Sequence, residues 1–243
     1  VEERKKVAER WVTASQGQLD LIIHTGALSI ADTLELARHA ETLDIKATSV
    51  IGPCFFKPSH VDDLVEYCRL AAASAPSKGF YYYHSTMSGL SIDMEKFLQA
   101  AGKVIPNLSG MKFNSPDMYE FQRCLRVEGG KYDIPFGVDE FIPAGLACGA
   151  LSAVGSTYNY AAPLYLELIE KFNQGDHQGV ADCMDKVIAI IRVLVEYGGV
   201  AAGKVAMQLH GIDVGAPRRP LRPLTAEQKV DALAKFKAAN FLS

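Results

Sequence analysis

The sequence lacks the marks of a metal or disulfide framework. Its 243 residues include five cysteines, an odd number, with no CxxC pair and no histidine at a spacing that suits zinc. The cysteines are Cys54, Cys68, Cys124, Cys148 and Cys183. Because no ligand spacing suits a metal, we predict no metal site. Small secreted domains usually carry paired cysteines, so the odd number predicts a reducing, cytoplasmic location.

Long hydrophobic runs and charge of one sign are also scarce. The most apolar stretch, residues 187–195, contains Arg192 and is far shorter than the roughly 20 residues that a membrane span needs. No signal-peptide pattern opens the chain. With 25 basic and 28 acidic residues the net charge is −3, which gives no basic field for nucleic acid. We therefore expect small-molecule partners and predict neither nucleic-acid nor membrane binding.

The chain does contain a repeated alternation of short apolar runs and amphipathic segments. The runs cover residues 21–25, 47–51, 80–83, 108–113, 134–138 and 153–157. Each is typical of a buried strand, and the alternation predicts a parallel sheet covered on both faces. After Asn159 only helical patterns follow. We predict one structural domain, with a partial barrel over residues 1–160 and C-terminal helices over residues 161–243.

Two parallel architectures compete, the doubly wound sheet and the (β/α)8 TIM barrel. The doubly wound sheet of nucleotide-binding proteins predicts a phosphate loop, and neither GxGxxG nor GxxxxGK[ST] occurs. A barrel needs eight strands where six runs are present. The chain opens on a helical pattern with Val7, Trp11 and Val12 on one face. If the fold is a barrel, we expect its first two βα units to be missing ahead of Val1.

Lys112 and Asn114 stand where the fourth predicted strand ends. Both architectures place function at the carboxyl ends of strands. An ammonium group that faces a closed core is costly, so such a site favours a neutral amine that can form imines with ketones. The alternative is a lysine that extends its ammonium group to solvent.

The third run offers phenols at its end. Alternation sends Tyr81 and Tyr83 to one face and Tyr82 to the other. A phenol beside an imine can relay a proton, or it can pack with its hydroxyl bonded to backbone or water. A hydrolytic triad gains little support, because His24 and His84 lack spaced partners and no GxSxG elbow occurs.

The last two runs end in carboxylates and hydroxyls. Gly137 permits close ligand approach, and Asp139 and Glu140 could accept hydrogen bonds from sugar hydroxyls or cap a helix. Residues from Ser156 to Asn159 could contact a carboxylate or a hydroxyl, or form an ordinary capped turn.

Four motifs together resemble one family. They are FYYYH at 80–84, GMKF at 110–113, FGVDE at 136–140 and GSTYN at 155–159. Their order and spacing are similar to N-acetylneuraminate lyases in their animal form, within the dihydrodipicolinate synthase and N-acetylneuraminate lyase family. The resemblance runs the length of the chain, to PRRPL at 217–221. Members are TIM barrels with extra C-terminal helices, usually homotetramers, so the resemblance favours the barrel.

The resemblance also implies an activity. It implies a class I lyase, without metal or organic cofactor, that splits N-acetylneuraminate into N-acetylmannosamine and pyruvate. Lys112 would form the Schiff base with the C2 ketone, and Tyr83 would relay the proton of the C4 hydroxyl as the C3–C4 bond breaks. Substrate contacts would come from Asn114, Gly137, Asp139, Glu140 and Ser156.

Some positions depart from the family pattern. The Gly-Thr-Thr-Gly-Glu motif that binds the pyruvate carboxylate is absent, so we expect at most weak turnover. Ser85, Thr86 and Met87 differ from the usual segment after His84. Two alternatives remain: the same imine chemistry on another 2-keto-3-deoxy sugar acid, and a catalytically silent binding or regulatory subunit.

Overall fold

A computed structural model describes residues 1–242, whose contacts divide them into two units. The first unit comprises Val1–Gly137 and Cys148–Ser152. The second comprises Val138–Ala147 and the residues from Ala153 onward. Across the described residues, no helix is long and apolar enough to cross a membrane.

The first unit is built on a four-stranded parallel sheet in the order β1-β2-β3-β4. The strands are β1 (Ile22–His24), β2 (Ala47–Ile51), β3 (Gly79–Ser85) and β4 (Leu108–Asn114). The helices are α1 (Glu2–Ser15), α2 (Ile30–Glu41), α3 (Val61–Ala73), α4 (Met94–Val104) and α5 (Met118–Cys124). The first four apolar runs of the sequence therefore form strands, and helices separate them as predicted.

Side-chain caps fix where three of these helices begin. Ser29, Asp93 and Asp117 each accept a hydrogen bond from a backbone N–H in the first turn of α2, α4 and α5 respectively. A cap of this kind stabilises a helix by about 1 kcal/mol. The helices that flank the sheet thus start at residues that the sequence marks.

The second unit consists of helices and their connections. They are α6 (Ile142–Cys148, in this unit up to Ala147), α7 (Tyr158–Gln174), α8 (His177–Tyr197), α9 (Gly199–Ala206) and α10 (Ala226–Ala238). A 3-10 turn at Asp139–Phe141 leads into α6. Buried apolar side chains on α7, α8 and α10, including Leu168, Ile190 and Phe236, form its core.

The two faces of the sheet differ in character. Val50, Tyr82, Met111 and Phe113 are fully buried on one face, where aromatic rings of the flanking helices pack against them. The opposite face carries side chains that are only partly buried, including Tyr81, Tyr83 and Lys112. The predicted alternation of the three tyrosines is confirmed.

The fifth and sixth apolar runs do not form regular strands, so the prediction of six strands is wrong at these positions. Asp133 and Phe136 make isolated parallel bridges to β4. Asp133 N donates to Ser109 O (3.1 Å) and Gly137 N donates to Phe113 O (2.8 Å). Pro135, midway between them, has no N–H to donate, and this interrupts the ladder. Residues 153–157 form a single bridge position at Ala153 and then irregular chain with a bend at Ser156 and a turn at Thr157, rather than a strand.

Two of the three residues on the predicted apolar face of the first helix are exposed, and the third, Val12, is partly buried. Val7 is 57% exposed and Trp11 is 53% exposed, whereas Ala8 and Ser15 are the buried residues of α1. Arg4 ties α1 to the sheet instead, since its guanidinium donates to the backbone oxygens of His24 and Gly26. Polar contacts therefore hold this helix more than the apolar stripe that the sequence indicates.

Candidate active site

Strand register brings the predicted imine and phenol residues together in the first unit. Tyr83 is the register partner of Lys112, and Ser85 is the partner of Asn114. Register partners on parallel strands project to the same face of a sheet. The carboxyl ends of β3 and β4 therefore present an amine, a phenol and an amide side by side.

The Lys112 amine lies over the ring of Tyr83. Lys112 Nζ is 4.4 Å from the centroid of the Tyr83 ring. Such a contact between a cation and an aromatic face is attractive, by about 0.5–1 kcal/mol at exposed sites. Lys112 is partly buried, so part of the residue is accessible at the strand end.

Gly137 makes room for the Lys112 side chain. A Cβ atom at this position would lie 2.8 Å from Lys112 Cε, 3.0 Å from Asn114 Cβ and 3.1 Å from Phe113 O. Its backbone is held close by the hydrogen bond from Gly137 N to Phe113 O. The lack of a side chain at Gly137 thus leaves space for Lys112, and its contact with substrate stays a prediction.

Asn114 links the end of β4 to the end of β3. Its amide nitrogen donates to Ser85 Oγ (3.2 Å) and makes a longer contact with Tyr83 Oη (3.5 Å). Ser85 is buried, so this bond stabilises the β3 end that carries Tyr83. The contact nevertheless leaves the Tyr83 hydroxyl with weak constraint, because hydrogen bonds lose strength rapidly near this distance.

The same face carries a second set of polar side chains, nearer the amino ends of the strands. Tyr81 Oη donates to one carboxylate oxygen of Asp133 (3.0 Å), and Ser152 Oγ donates to the other (2.8 Å). Burial and the Asp133 charge raise the pKa of Tyr81 to about 12, so this phenol stays neutral. The network fixes the segment that leads to Gly137.

His24 is a site residue that the sequence did not single out. Its ring lies edge-on to the Tyr83 ring, with centroids 6.3 Å apart, and its Nδ1 is 3.1 Å from Ser49 Oγ. Neighbouring protein atoms, and then the charges of Arg4 and Lys112, lower the pKa of His24 to about 4. The residue as a whole is exposed, and contact with water weakens this effect. The only signal in the sequence is its place at the end of a strand.

The other strand-end histidine points away from this face. His84 is 5% exposed and its ring packs against Phe113 at 5.0 Å between centroids, on the helix side of the sheet. Its Nε2 is 3.9 Å from Glu120 Oε2. Burial lowers the pKa of His84 to about 4, which keeps the ring neutral. His84 is therefore part of the core behind Tyr83.

The predicted carboxylates and hydroxyl lie in the second unit. Asp139 is 5% exposed, and its Oδ2 accepts hydrogen bonds from Thr157 N (3.0 Å) and Thr157 Oγ1 (2.6 Å). Its carboxylate caps no N–H of the following 3-10 turn. Glu140 is partly buried and Ser156 is exposed. The alternative reading of Asp139 as a helix cap is wrong, since the carboxylate binds the loop before α7.

That loop is shaped around the Asp139 carboxylate. A Cβ atom at Gly155 would lie 1.7 Å from Asp139 Oδ1, so the backbone can pass there only as glycine. Thr157 Oγ1 is also 2.7 Å from Tyr165 Oη, which extends the chain of hydroxyls. Burial and the charges of Asp139 and Glu140 raise the pKa of the neighbouring Tyr158 phenol. Asp139 and Tyr158 each keep one buried oxygen without a partner in the described structure.

Over residues 1–242, no group of three or more His, Cys, Asp or Glu side chains is placed to hold a metal ion. The site face of the first unit thus holds an amine, a phenol, an amide and an imidazole. An amine beside a proton-relaying phenol suits imine chemistry on a ketone.

Comparison with known proteins places this geometry in a family. The sequence matches the dihydrodipicolinate synthetase family over residues 1–239. The chain belongs to this family. This confirms the family resemblance that the four motifs indicate. The fold of this family is the TIM barrel, and the parallel sheet and helices of the chain agree with it.

Named members of the dihydrodipicolinate synthetase family align along the whole chain. N-acetylneuraminate lyase of Rattus norvegicus is 38% identical over 248 residues, which cover 100% of this chain and 78% of the relative. The structure of N-acetylneuraminate lyase from Aliivibrio salmonicida matches with a TM-score of 0.99 and 67% identity, covering 100% of this chain and 81% of that one. The catalytic lysine mutant of Ruminococcus gnavus sialic acid aldolase matches with a TM-score of 0.90 and 28% identity, covering 98% and 80%.

Proposed function

We propose that this chain is a class I lyase that cleaves N-acetylneuraminate into N-acetylmannosamine and pyruvate through an imine on Lys112. The observation that carries the proposal is the Lys112 amine, 4.4 Å from the Tyr83 ring centroid at the ends of adjacent parallel strands. The homologous proteins are N-acetylneuraminate lyases, up to 67% identical among those compared above. The related Ruminococcus gnavus aldolase has a catalytic lysine, and Lys112 is the candidate for that role here.

The chemistry begins with attack of Lys112 Nζ on the C2 ketone of the open-chain sugar acid. Loss of water gives a protonated imine, which can accept the electron pair of the breaking C3–C4 bond. The C4 hydroxyl gives up its proton as the aldehyde of N-acetylmannosamine leaves. Protonation of the resulting enamine at C3 and hydrolysis then return pyruvate and the free amine.

Tyr83 is the proposed relay for the proton of the C4 hydroxyl. Its ring lies beneath the Lys112 amine, and its hydroxyl is 3.5 Å from the Asn114 amide nitrogen. A positioned phenol can accept this proton on its oxygen while it passes its own proton to a neighbouring base such as the substrate carboxylate, and the reverse transfer restores it within one catalytic cycle, which contributes about 10²- to 10⁴-fold to a rate. Asn114 would then contact both Tyr83 and the substrate.

The polyhydroxyl part of the sugar acid requires acceptors and donors beyond the imine. By the family resemblance, we assign contacts with it to Gly137, Asp139, Glu140 and Ser156. The exposure of Ser156 and the partial exposure of Glu140 support direct contact. The Asp139 carboxylate, bonded to Thr157, supports the loop that carries Ser156.

We further propose a homotetramer that works in the cytoplasm without a metal ion or an organic cofactor. The tetramer comes from the family resemblance alone. Sedimentation equilibrium of the purified chain measures it directly, and a monomer at micromolar concentration would contradict it.

The deciding experiment is covalent trapping. Incubation with pyruvate and sodium borohydride, followed by intact-mass analysis and peptide mapping, should yield one reduced pyruvyl adduct on Lys112. Lys112→Met should give no adduct, whereas Lys6→Ala, which removes an exposed lysine of α1, should behave like the wild type. Release of pyruvate from N-acetylneuraminate, followed with lactate dehydrogenase, then tests the substrate. An adduct on any other lysine would overturn the assignment.

A further inference from the structure

The loop that leads into α7 carries an exposed hydroxyl next to a buried one. Ser156 is exposed, whereas Thr157, the next residue, is fully buried. The Ser156 carbonyl oxygen also accepts a hydrogen bond from Asn159 Nδ2 (2.8 Å). A hydrogen bond from Ser156 to a ligand requires a narrow range of distances and angles. The contacts that hold Thr157 therefore determine how well Ser156 is placed.

The Thr157 hydroxyl does not cap the helix that it precedes. Thr157 is the N-cap residue of α7, a position where threonine usually accepts a hydrogen bond from a backbone N–H of the first turn. Its side chain makes no such bond. Thr157 Oγ1 instead lies 2.6 Å from Asp139 Oδ2 and 2.7 Å from Tyr165 Oη. The hydroxyl is thus committed to these two side chains.

The number of available hydrogens gives this chain of contacts a direction. A carboxylate only accepts, and Thr157 has a single hydroxyl hydrogen, so Thr157 Oγ1 donates to Asp139 Oδ2. The Thr157 oxygen then accepts from Tyr165, whose O–H is the donor. Burial raises the pKa of the Tyr165 phenol, so the phenol keeps this hydrogen at neutral pH. The chain runs from Tyr165 through Thr157 to Asp139.

All three members of the chain are removed from water. Tyr165 is 3% exposed, Thr157 is 0% exposed and Asp139 is 5% exposed. The Tyr165 ring packs edge-on against the ring of Tyr158, with centroids 4.4 Å apart. Hydrogen bonds in such surroundings are stronger than in water, and linked bonds strengthen one another. The Tyr165 hydroxyl therefore fixes the rotation of the Thr157 hydroxyl, and with it the bond to Asp139.

We infer that Tyr165 is a positioning residue for the sugar acid, because its hydroxyl acts through Thr157 to hold the Asp139 carboxylate and the loop that carries Ser156. This role rests on the proposed function and deepens it, since Asp139 and Ser156 are assigned there to the polyhydroxyl part of the substrate. Tyr165 acts on binding of that part and has no task in the chemistry at Lys112. Its loss should affect the sugar acid and spare pyruvate.

The test compares two keto acids, of which only one has a polyhydroxyl chain. Tyr165→Phe removes the hydroxyl and keeps the ring. For pyruvate and for N-acetylneuraminate, the concentration that gives half-maximal borohydride trapping on Lys112 is measured by peptide mapping, with intact and cleaved adducts counted together. Loss of one neutral hydrogen bond weakens an interaction by about 3- to 10-fold, so the value for N-acetylneuraminate should rise by that factor. The value for pyruvate should not change.

The same measurement separates positioning from loss of folded protein. Partial unfolding lowers the maximal extent of trapping with both keto acids and leaves both half-maximal concentrations unchanged. The matched control is Tyr197→Phe, which removes a phenol hydroxyl of α8 that bonds to Asp231 of α10. This variant should behave like the wild type with both keto acids.

A double-mutant cycle tests whether Tyr165 acts through Thr157. Thr157→Val removes the hydroxyl that links Tyr165 to Asp139. If the chain of contacts carries the effect, Tyr165→Phe should raise the value for N-acetylneuraminate no further in the Thr157→Val background. Additive effects of the two substitutions would overturn the role of Tyr165 as a residue that acts through Thr157.

The remaining outcomes separate this role from the proposed function. If Tyr165→Phe changes the values for both keto acids equally, or changes neither, the positioning role is overturned while the imine on Lys112 stands. If the wild type forms no adduct on Lys112 with pyruvate, the proposed function falls and the role of Tyr165 falls with it. If the wild type traps pyruvate but not N-acetylneuraminate, the assigned sugar acid is wrong, and the role of Tyr165 is overturned while the imine stands.

Discussion

At the scale of single residues, Gly137 sets how the Lys112 side chain lies. Gly137→Ala adds a Cβ atom 2.8 Å from Lys112 Cε, so the lysine must move or the backbone must retreat from β4. We expect trapping of pyruvate on Lys112 to slow by about 10- to 100-fold, because small misplacement of a reacting group has effects of this size. Overpacking should cost about 1–3 kcal/mol of stability, measured by urea unfolding.

The matched control is Gly199→Ala. Gly199 begins α9, and no heavy atom lies within 4 Å of a Cβ atom built there. This variant should trap pyruvate like the wild type. If Gly137→Ala also traps pyruvate at the wild-type rate, the close approach of Gly137 to Lys112 has no bearing on the chemistry.

Because of His84, the free energy of unfolding is expected to depend on pH. Burial lowers its pKa to about 4, against about 6.5 in an unfolded chain, with the Asp117 charge acting in the opposite direction. Between these values the unfolded chain binds a proton that the folded chain does not, so stability falls as pH falls from 6.5 toward 4. The His84 contribution to this loss between pH 7.5 and pH 5 should be about 2 kcal/mol.

A difference measurement isolates this residue. Burial raises the pKa of the neighbouring Glu120 carboxyl, and protonation of that group stabilises the folded state as pH falls, opposing His84. The free energy of unfolding is measured in urea for the wild type and for His84→Gln at several pH values. The difference between the two proteins cancels the contribution of Glu120, which both contain. The wild type should lose more stability than the variant on acidification. Parallel pH profiles would show that His84 does not titrate below its ordinary pKa.

At the scale of elements, the Asp139 carboxylate joins the 3-10 turn at Asp139–Phe141 to the start of α7. Its Oδ2 accepts from both the backbone and the side chain of Thr157. Thr157→Val removes the donating hydroxyl at nearly the same volume. It should destabilise the protein by about 1–3 kcal/mol, since a buried carboxylate then loses a partner. Thr157→Ser keeps the hydroxyl and is the control; equal stability of the two variants in urea would contradict this role.

Elements with a strong local pattern could be predicted from the sequence, and those that depend on neighbours could not. Strand β2 has the bounds of its predicted apolar run, because such a run is a local property of the sequence. The fifth apolar run looks like a strand, but Pro135 removes a donor from the ladder with β4. The face of α1 that contains Trp11 looks like a core face, yet it is exposed.

At the scale of the whole molecule, the sequence predicts the candidate site only when several motifs are considered together. Lys112 alone fits a solvent-directed lysine as well as an imine former, and the motif order across the chain favours the imine former. His24 was missed because Ser49 and Tyr83 lie far away in sequence and meet it only through strand register. The predicted boundary at residue 160, the missing βα units and the weak turnover stay predictions.

Imine formation should also stabilise the whole chain. A ligand that binds only the folded state at about ten times its dissociation constant adds about 1.4 kcal/mol, which raises the Tm of a chain of this size by about 3–6 °C. Pyruvate should produce this shift in a thermal melt of the wild type and lose most of it in Lys112→Met. Lactate has the same acid group but no ketone, so it cannot form an imine and should act weakly on both. Equal shifts with pyruvate and lactate would mean that the chain recognises the carboxylate alone, and that Lys112 forms no bond to the keto acid.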